Sequence, residues 1–213
     1  MANVPVVLRI YDGKYDGDAW VDKKEALEIV DSHNPERKIR MIKEKEMPDH
    51  NIDITKADVK DKEKLKKLFQ FYLHDLSEYT EALDVNAKGE FDNNDVDAFF
   101  DETNLIPMAI KLKEEIIGFI FLNNSSGNTV DYIINDIFIL RKYRNRGIGK
   151  EVVNKLFKVY PGKYGLLELA KNKPAVKFWH SVFKDKNLEY QENEIKSDGE
   201  DCLMQKFTIK DQC

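Results

Sequence analysis

The chain of 213 residues predicts a mixed α/β (α+β) fold, in which a central mixed sheet is flanked by helices. Three observations carry this. Strand-like and helix-like segments alternate as β-α-α-β-β-β-α-β-α-β-β from residue 51 onward, and such mixed connections build a sheet-and-helix sandwich. Two apolar runs, Val130–Leu140 and Gly165–Ala170, are each followed by an amphipathic helix pattern, as buried strands feeding crossover helices are. Short hairpin patterns precede and follow this unit.

The elements follow in order. Val4 to Tyr11 reads as a short strand broken by Asp12, Gly13 and Gly17; residues 22–32 read as a helix and 37–47 as a half-exposed strand. Pro48-Asp49-His50-Asn51 interrupts the pattern and sets a boundary between a β-α-β-like appendage at 1–48 and a main domain at 49–213. Asn51 to Thr55 reads as a strand. Leu65, Leu68, Phe69, Tyr72, Leu73 and Leu76 step by three and four and make one helical stripe. Residues 80–95 read as an acidic loop, and Val96, Phe99 and Phe100 as a short helix. Pro107–Lys113 and Ile116–Leu122 make a hairpin turning at Glu114-Glu115. The helix opening near Gly147 buries Ile148, Val152, Val153, Leu156, Phe157 and Tyr160, and Pro161-Gly162 ends it. Pro174 suits the first turn of the next helix. Leu188–Ile195 and Leu203–Ile209 finish the chain as two strands.

Composition narrows the function. A hydrophobic content of 42% is ordinary for a globular chain and argues against wholesale disorder. The net charge of -5 lacks the basic footprint of a nucleic-acid binder. No apolar run approaches membrane-spanning length. Cys202 and Cys213 fit neither a disulfide scaffold nor a metal site. These features place the protein in the cytoplasm, with no metal, nucleic-acid or membrane partner.

The stretch Ile137 to Lys150 (IFILRKYRNRGIGK) carries the chemistry. An apolar strand runs into Arg144-Asn145-Arg146-Gly147-Ile148-Gly149 and then into an amphipathic helix. Two glycines allow a tight turn and a close approach to a ligand. The unpaired amides and dipole at a helix N-terminus attract an anion. Arg141, Lys142, Arg144, Arg146 and Lys150 add positive charge with no acid among them. A P-loop does not fit, because Glu151 follows Gly149-Lys150 and the upstream glycine is missing; the G-x-G-x-x-G dinucleotide pattern is absent as well. A merely basic strand-to-helix turn is the plain alternative.

Arg144-x-x-Gly147-x-Gly149 after a buried strand resembles the pyrophosphate-binding motif of the GCN5-related N-acetyltransferase (GNAT) superfamily. Asn172-Lys173-Pro174-Ala175-Val176-Lys177-Phe178-Trp179 resembles that family's N-x-x-A-x-x-F-Y segment. The resemblance implies a mostly antiparallel sheet with a splayed pair of strands, 130–140 and 164–170, between which acetyl-CoA lies as cosubstrate. Backbone groups near Phe138, Ile139 and Leu140 would hold the pantetheine arm. The turn Arg144, Asn145, Arg146, Gly147, Ile148, Gly149 and Lys150 would bind the pyrophosphate, with Asn172 and Phe178 also at the cofactor. Asn172 reads equally well as a helix cap.

The implied reaction is direct acyl transfer to an amine, most simply a small-molecule primary amine. Asp136, inside an otherwise apolar strand, is the first candidate for the base; a structural, hydrogen-bonded aspartate is the alternative. Trp179 stands where the family commonly has a tyrosine acid, and an indole N–H cannot serve as one. Tyr164 and His180 are the replacements considered, each with a plainer reading as a core or surface residue. His74, Asp75, Glu78, Tyr79 and the acidic run Asp92 to Asp101 would rim the acceptor site and favour a cationic amine. The competing reading is a catalytically inactive CoA-binding or interaction domain. A homodimer stays open.

Overall fold

The computed structural model describes residues 6–9, 18–21, 51–92, 94–125 and 129–210. Contacts divide the chain into two compact units, Met1–Pro48 and Asp49–Cys213. In the first, β1 (Val6–Arg9) pairs antiparallel with β2 (Asp18–Val21). The sequence pattern missed β2. The expected helix at 22–32 and strand at 37–47 lie outside the described residues.

The second unit is built on seven strands: β3 (Ile52–Lys56), β4 (Leu105–Leu112), β5 (Glu115–Asn124), β6 (Tyr132–Ile139), β7 (Gly162–Leu169), β8 (Tyr190–Ser197) and β9 (Glu200–Ile209). Their spatial order is β3-β4-β5-β6-β7-β9-β8. Every neighbouring pair is antiparallel except β6 and β7, which run parallel. The sheet is therefore mixed and mostly antiparallel, as expected.

Among the described residues four α-helices flank it: α1 (Lys62–Leu76), α2 (Asn94–Asp101), α3 (Ile148–Val159) and α4 (Lys173–Asp185). Two cores result, one on each face. Leu65, Leu68, Phe69 and Leu73 of α1 and Val96 and Phe99 of α2 pack on Phe119, Phe121 and Phe138. Phe99 and Phe121 stack at 4.4 Å. On the opposite face, Ile148, Val152, Val153, Leu156 and Phe157 of α3 and Trp179, Val182 and Phe183 of α4 pack on Ile134, Ile139, Tyr164, Leu166 and Phe207. Periodic apolar stripes at helical spacing thus identified the buried helix faces correctly. No helix among the described residues is long and apolar enough to cross a membrane.

One irregularity positions the site. The β5–β6 register steps from Phe121↔Asp136 to Leu122↔Ile134, leaving Asn135 as an extra residue in β6. A bulge of this kind bends a strand and inverts its alternation. Ile134 accordingly packs on the α3/α4 face, yet Phe138, four residues on, packs on the α1/α2 face. Asp136 shares the face of Phe138.

Candidate functional site

The parallel pair β6 and β7 is joined over Tyr132↔Tyr164, Ile133↔Gly165 and Ile134↔Leu166 alone. Beyond Ile134 and Leu166 the strands part, each still bonded to its outer neighbour, β5 or β9. A split opens at their C-terminal ends. Backbone groups of 135–139 that point away from β5 line it, since alternate residues of a strand bond to opposite sides.

A short 3₁₀ turn (Arg141–Tyr143) leads from β6 to the basic turn and α3. Asn145 and Gly147 both have positive φ, 58° and 81°. Gly147 is the residue preceding α3 and lies in the left-handed region, where a side chain is disfavoured by roughly 1–2 kcal/mol. The first helical bond runs from the Glu151 amide to the Gly147 carbonyl at 3.1 Å, so the amides of Ile148, Gly149 and Lys150 precede the hydrogen-bonded ladder. A Cβ on Gly149 would stand 3.0 Å from the Phe178 ring and 3.9 Å from Ile139. The turn, the end of β6 and α4 therefore meet closely at Gly149.

Several side chains of this turn have structural partners, which leaves its backbone amides as the groups expected to meet a phosphate. Arg144 donates from Nε to the Ile139 carbonyl at 2.6 Å and from its guanidinium to Asp75 of α1 at 2.6 Å. Its guanidinium also lies 5.2 Å from the centre of the Phe138 ring. Its amide donates to the Arg141 carbonyl. Arg141 pairs with the other Asp75 oxygen at 2.6 Å. Partial burial works to raise the Asp75 carboxyl, yet the two arginines hold it below the usual carboxylate range. Lys150 pairs with Asp185 at 2.5 Å. Ile148 is a core anchor. The Leu140 amide is engaged by the Ile117 carbonyl. Asn172 caps α4, accepting from the Ala175 amide at 3.2 Å.

Asp136 is half-buried on the α1/α2 face of the split. Burial pushes its carboxyl up to about 6; the hydroxyl of Tyr72 donates to it and opposes the rise, while the charge of Asp95 on α2 adds to it. Tyr72 stands edge-on to Phe138 at 6.1 Å. The sequence pattern gave Tyr72 only as part of the α1 stripe. Removing its hydroxyl removes a contact that favours the charged carboxylate. Tyr72→Phe should therefore raise the Asp136 pKa further above 6 and move the acid limb of any activity that needs the carboxylate to higher pH. An unmoved limb in the pH–rate profile contradicts this contact.

Tyr164 does not face the split. It is 0% exposed, stacks on Phe207 at 5.4 Å, and its hydroxyl donates to the Tyr160 carbonyl at 2.5 Å. Burial pushes its ionisation far upward. Tyr164 is a core residue at the closed end of the strand pair, and its candidacy as the acid fails. His180 is paired with Glu192 of β8 at 2.6 Å. Trp179 is core.

The expected acidic rim is partly neutralised. Asp75 holds two arginines, and Asp97 pairs with Lys62 and Lys66 at 2.8 Å each. Thr80 and Lys171 both reach Glu200 at 2.8 and 3.2 Å, which ties the segment after α1 to the start of β9.

Comparison with known proteins agrees with this geometry. The family model described as acetyltransferase (GNAT) family matches residues 66–183, more than half of the chain, and the chain belongs to that family. Membership makes it an acyltransferase with acetyl-CoA as its cosubstrate. No curated protein matches the chain significantly. Among solved structures, an acetyltransferase from Thermus thermophilus aligns with a TM-score of 0.55 at 14% identity, covering 74% of this chain and 97% of its own. A structure from Corynebacterium glutamicum named histone acetyltransferase HPA2 and related acetyltransferase aligns with a TM-score of 0.55 at 10% identity, over 75% and 97%. Diaminobutyrate acetyltransferase EctA from Paenibacillus lautus, solved with L-2,4-diaminobutyric acid and coenzyme A, aligns with a TM-score of 0.51 at 12% identity, over 76% and 98%. At these identities the structures support the fold.

The residues present fit acetyl-CoA. Two unpaired strand edges suit an extended amide-bearing arm. The helix N-terminus with its left-handed glycine suits a pyrophosphate. The close meeting of Gly149, Ile139 and Phe178 would be filled by a larger side chain in place of the glycine.

Proposed function

We propose that the chain transfers the acetyl group of acetyl-CoA directly to a primary amine of a small cationic molecule. The carrying observation is the half-buried Asp136 carboxylate, set by the bulge at Asn135 beside the split. Acetyl-CoA, when bound, supplies a thioester carbonyl as electrophile. The backbone of Phe138, Ile139 and Leu140 flanks the pantetheine arm, less the Leu140 amide already engaged. The amides from Asn145 to Lys150 receive the pyrophosphate. Arg144 and Asp75 fix the turn's shape, and Phe178 walls it.

An alkylammonium acceptor has a pKa near 10.4 and must lose a proton before it attacks. Asp136 is the base. Its environment raises its proton affinity toward neutrality without abolishing its charge, the balance that general bases require. The neighbouring charge of Asp95 leaves two carboxylates near the acceptor's path, which favours an amine with a second positive charge. Residues 1–48 are an appendage outside the acetyltransferase domain at 49–213, and the protein works in the cytoplasm.

Thiol release from acetyl-CoA, measured against monoamines, lysine and spermidine, tests this reading. Spermidine and lysine should exceed the neutral-chain monoamines in kcat/KM by about tenfold. Preference for monoamines removes the cationic specificity, and absence of thiol release with every amine favours an inactive CoA-binding domain.

A further inference from the structure

Glu168 is a buried carboxyl group with no matching partner among the described residues. It sits in β7, two residues beyond the last residue that pairs with β6, so its strand segment forms a wall of the split. It is 7% exposed. Neither carboxylate oxygen has a hydrogen-bond partner among the described residues, and the same holds for the nearby Oε1 of Gln205. A buried polar group left in this way is destabilising, and such exceptions call for a functional explanation.

Its direction is fixed by alternation. Tyr164 and Leu166 pack on the α3/α4 face, and Glu168 continues that row. This is the face on which the turn at Gly147–Gly149 and α4 lie. Continuing the β6–β7 register from Ile134↔Leu166 across the bulge at Asn135 sets Asp136 at the level of Leu167 and Ile137 at the level of Glu168. Without the bulge at Asn135 the two carboxylates would share one face. With it, Asp136 faces α1 and α2 while Glu168 faces α3 and α4. One split thus carries a carboxyl group on each side, one residue step apart along the strands.

We propose that Glu168 is the acid that protonates the departing sulfur of coenzyme A. The assignment rests on the acetyltransferase reading above. It supplies the acid that Trp179 and Tyr164 do not. The amine enters from the α1/α2 face, where Asp136 takes its proton. The C–N bond forms, the C–S bond breaks, and the electron pair leaves on sulfur, which takes the Glu168 proton. The ammonium loses two protons in becoming an amide. One goes to solvent and the other, in net terms, replaces the proton given by Glu168.

The surroundings keep Glu168 protonated near neutrality. Burial pushes its carboxyl up to about 8, and the charge of Glu192 on β8 adds to the rise. Glu192 is itself held by His180 of α4 and by Gln205 of β9 at 2.5 Å. From α4, Trp179, Val182 and Phe183 present apolar surface.

The test reads the thiol of bound coenzyme A by its ultraviolet thiolate absorbance during a pH titration, in wild type and in E168Q. If Glu168 touches the sulfur, the two ionisations are coupled. Most of the thiolate should then appear at least about one pH unit higher in the wild type than in E168Q. E168Q should also bind acetyl-CoA within about threefold of wild type, lose about a hundredfold in kcat, and lose the alkaline limb of the rate profile. Coincident thiolate titrations in a wild type that binds coenzyme A overturn the assignment and leave the acetyltransferase reading standing. A wild type that binds no coenzyme A overturns that reading first. Should E168Q fold poorly, E168L removes both orphaned oxygens and gives the same comparison.

Discussion

Asp136→Asn should lower kcat by about 10²–10⁴-fold, the usual range for a positioned general base, with little change in acetyl-CoA affinity. The amide keeps the shape of the carboxylate and can still accept from Tyr72, so the aromatic packing of Tyr72 and Phe138 survives. What disappears is the proton acceptor. The sign of the pH effect follows from burial. With the carboxyl raised to about 6, the wild type should gain kcat/KM as pH rises through 6, because the ionised form is the active one. The variant should lack that rise. Turnover within about threefold of wild type, with the acid limb intact, would show that another group takes the proton.

Gly118→Ala should be the most damaging single methyl in the domain. Gly118 of β5 lies opposite Ile139 of β6, and a Cβ there would stand 2.1 Å from the Phe138 carbonyl oxygen. The obstacle is backbone, so no side chain can turn aside to relieve it. The two strands must separate locally, at a cost of at least about 1–3 kcal/mol, the range for overpacked interiors. The strand that moves is the one flanking the split, so acetyl-CoA affinity should fall along with the midpoint of chemical denaturation. Gly165 gives the contrast, since a Cβ there meets only the Val130 side chain at 3.5 Å, an ordinary contact. An unchanged midpoint for Gly118→Ala would mean that β5 and β6 are less closely apposed than described.

Much of this was legible in the residues, and the reasons differ by element. The helices α1, α3 and α4 announced themselves through apolar spacing, because burial of one face leaves a periodic record. The turn from Arg144 to Gly149 was legible because a left-handed residue and a close approach both demand glycine. What the turn's side chains do was not legible. Arg144 and Lys150 read as part of an anion-binding turn by charge and by the family resemblance, yet Asp75 and Asp185, distant in sequence, engage their side chains. Only the fold brings such pairs together.

The bulge at Asn135 left no mark in the pattern, since an apolar run with polar Asn135 and Asp136 fits either alternation. Its consequence, the placement of Asp136 and Glu168 on opposite faces, therefore had to come from the strand register. Glu168 itself carried the same signal that singled out Asp136, a carboxylate inside an apolar strand. Tyr164 misled for a related reason. A tyrosine at a strand start satisfies its hydroxyl as readily from a nearby carbonyl as from a substrate, and here Tyr160 provides that carbonyl. β2 was missed because Asp18–Val21 sits between Gly17 and the charged run Asp22-Lys23-Lys24-Glu25 and lacks an apolar run like that of Val4 to Leu8.

The most direct test of the account is a calorimetric titration of acetyl-CoA into the wild-type protein and into Gly147→Trp. The wild type should bind in the micromolar range. The variant should stay folded yet lose binding, because an indole at a left-handed position before α3 both strains the turn and covers the amides of Ile148 and Gly149. Equal binding by the two proteins would contradict the placement of the pyrophosphate, and no binding by the wild type would contradict the acetyltransferase function itself.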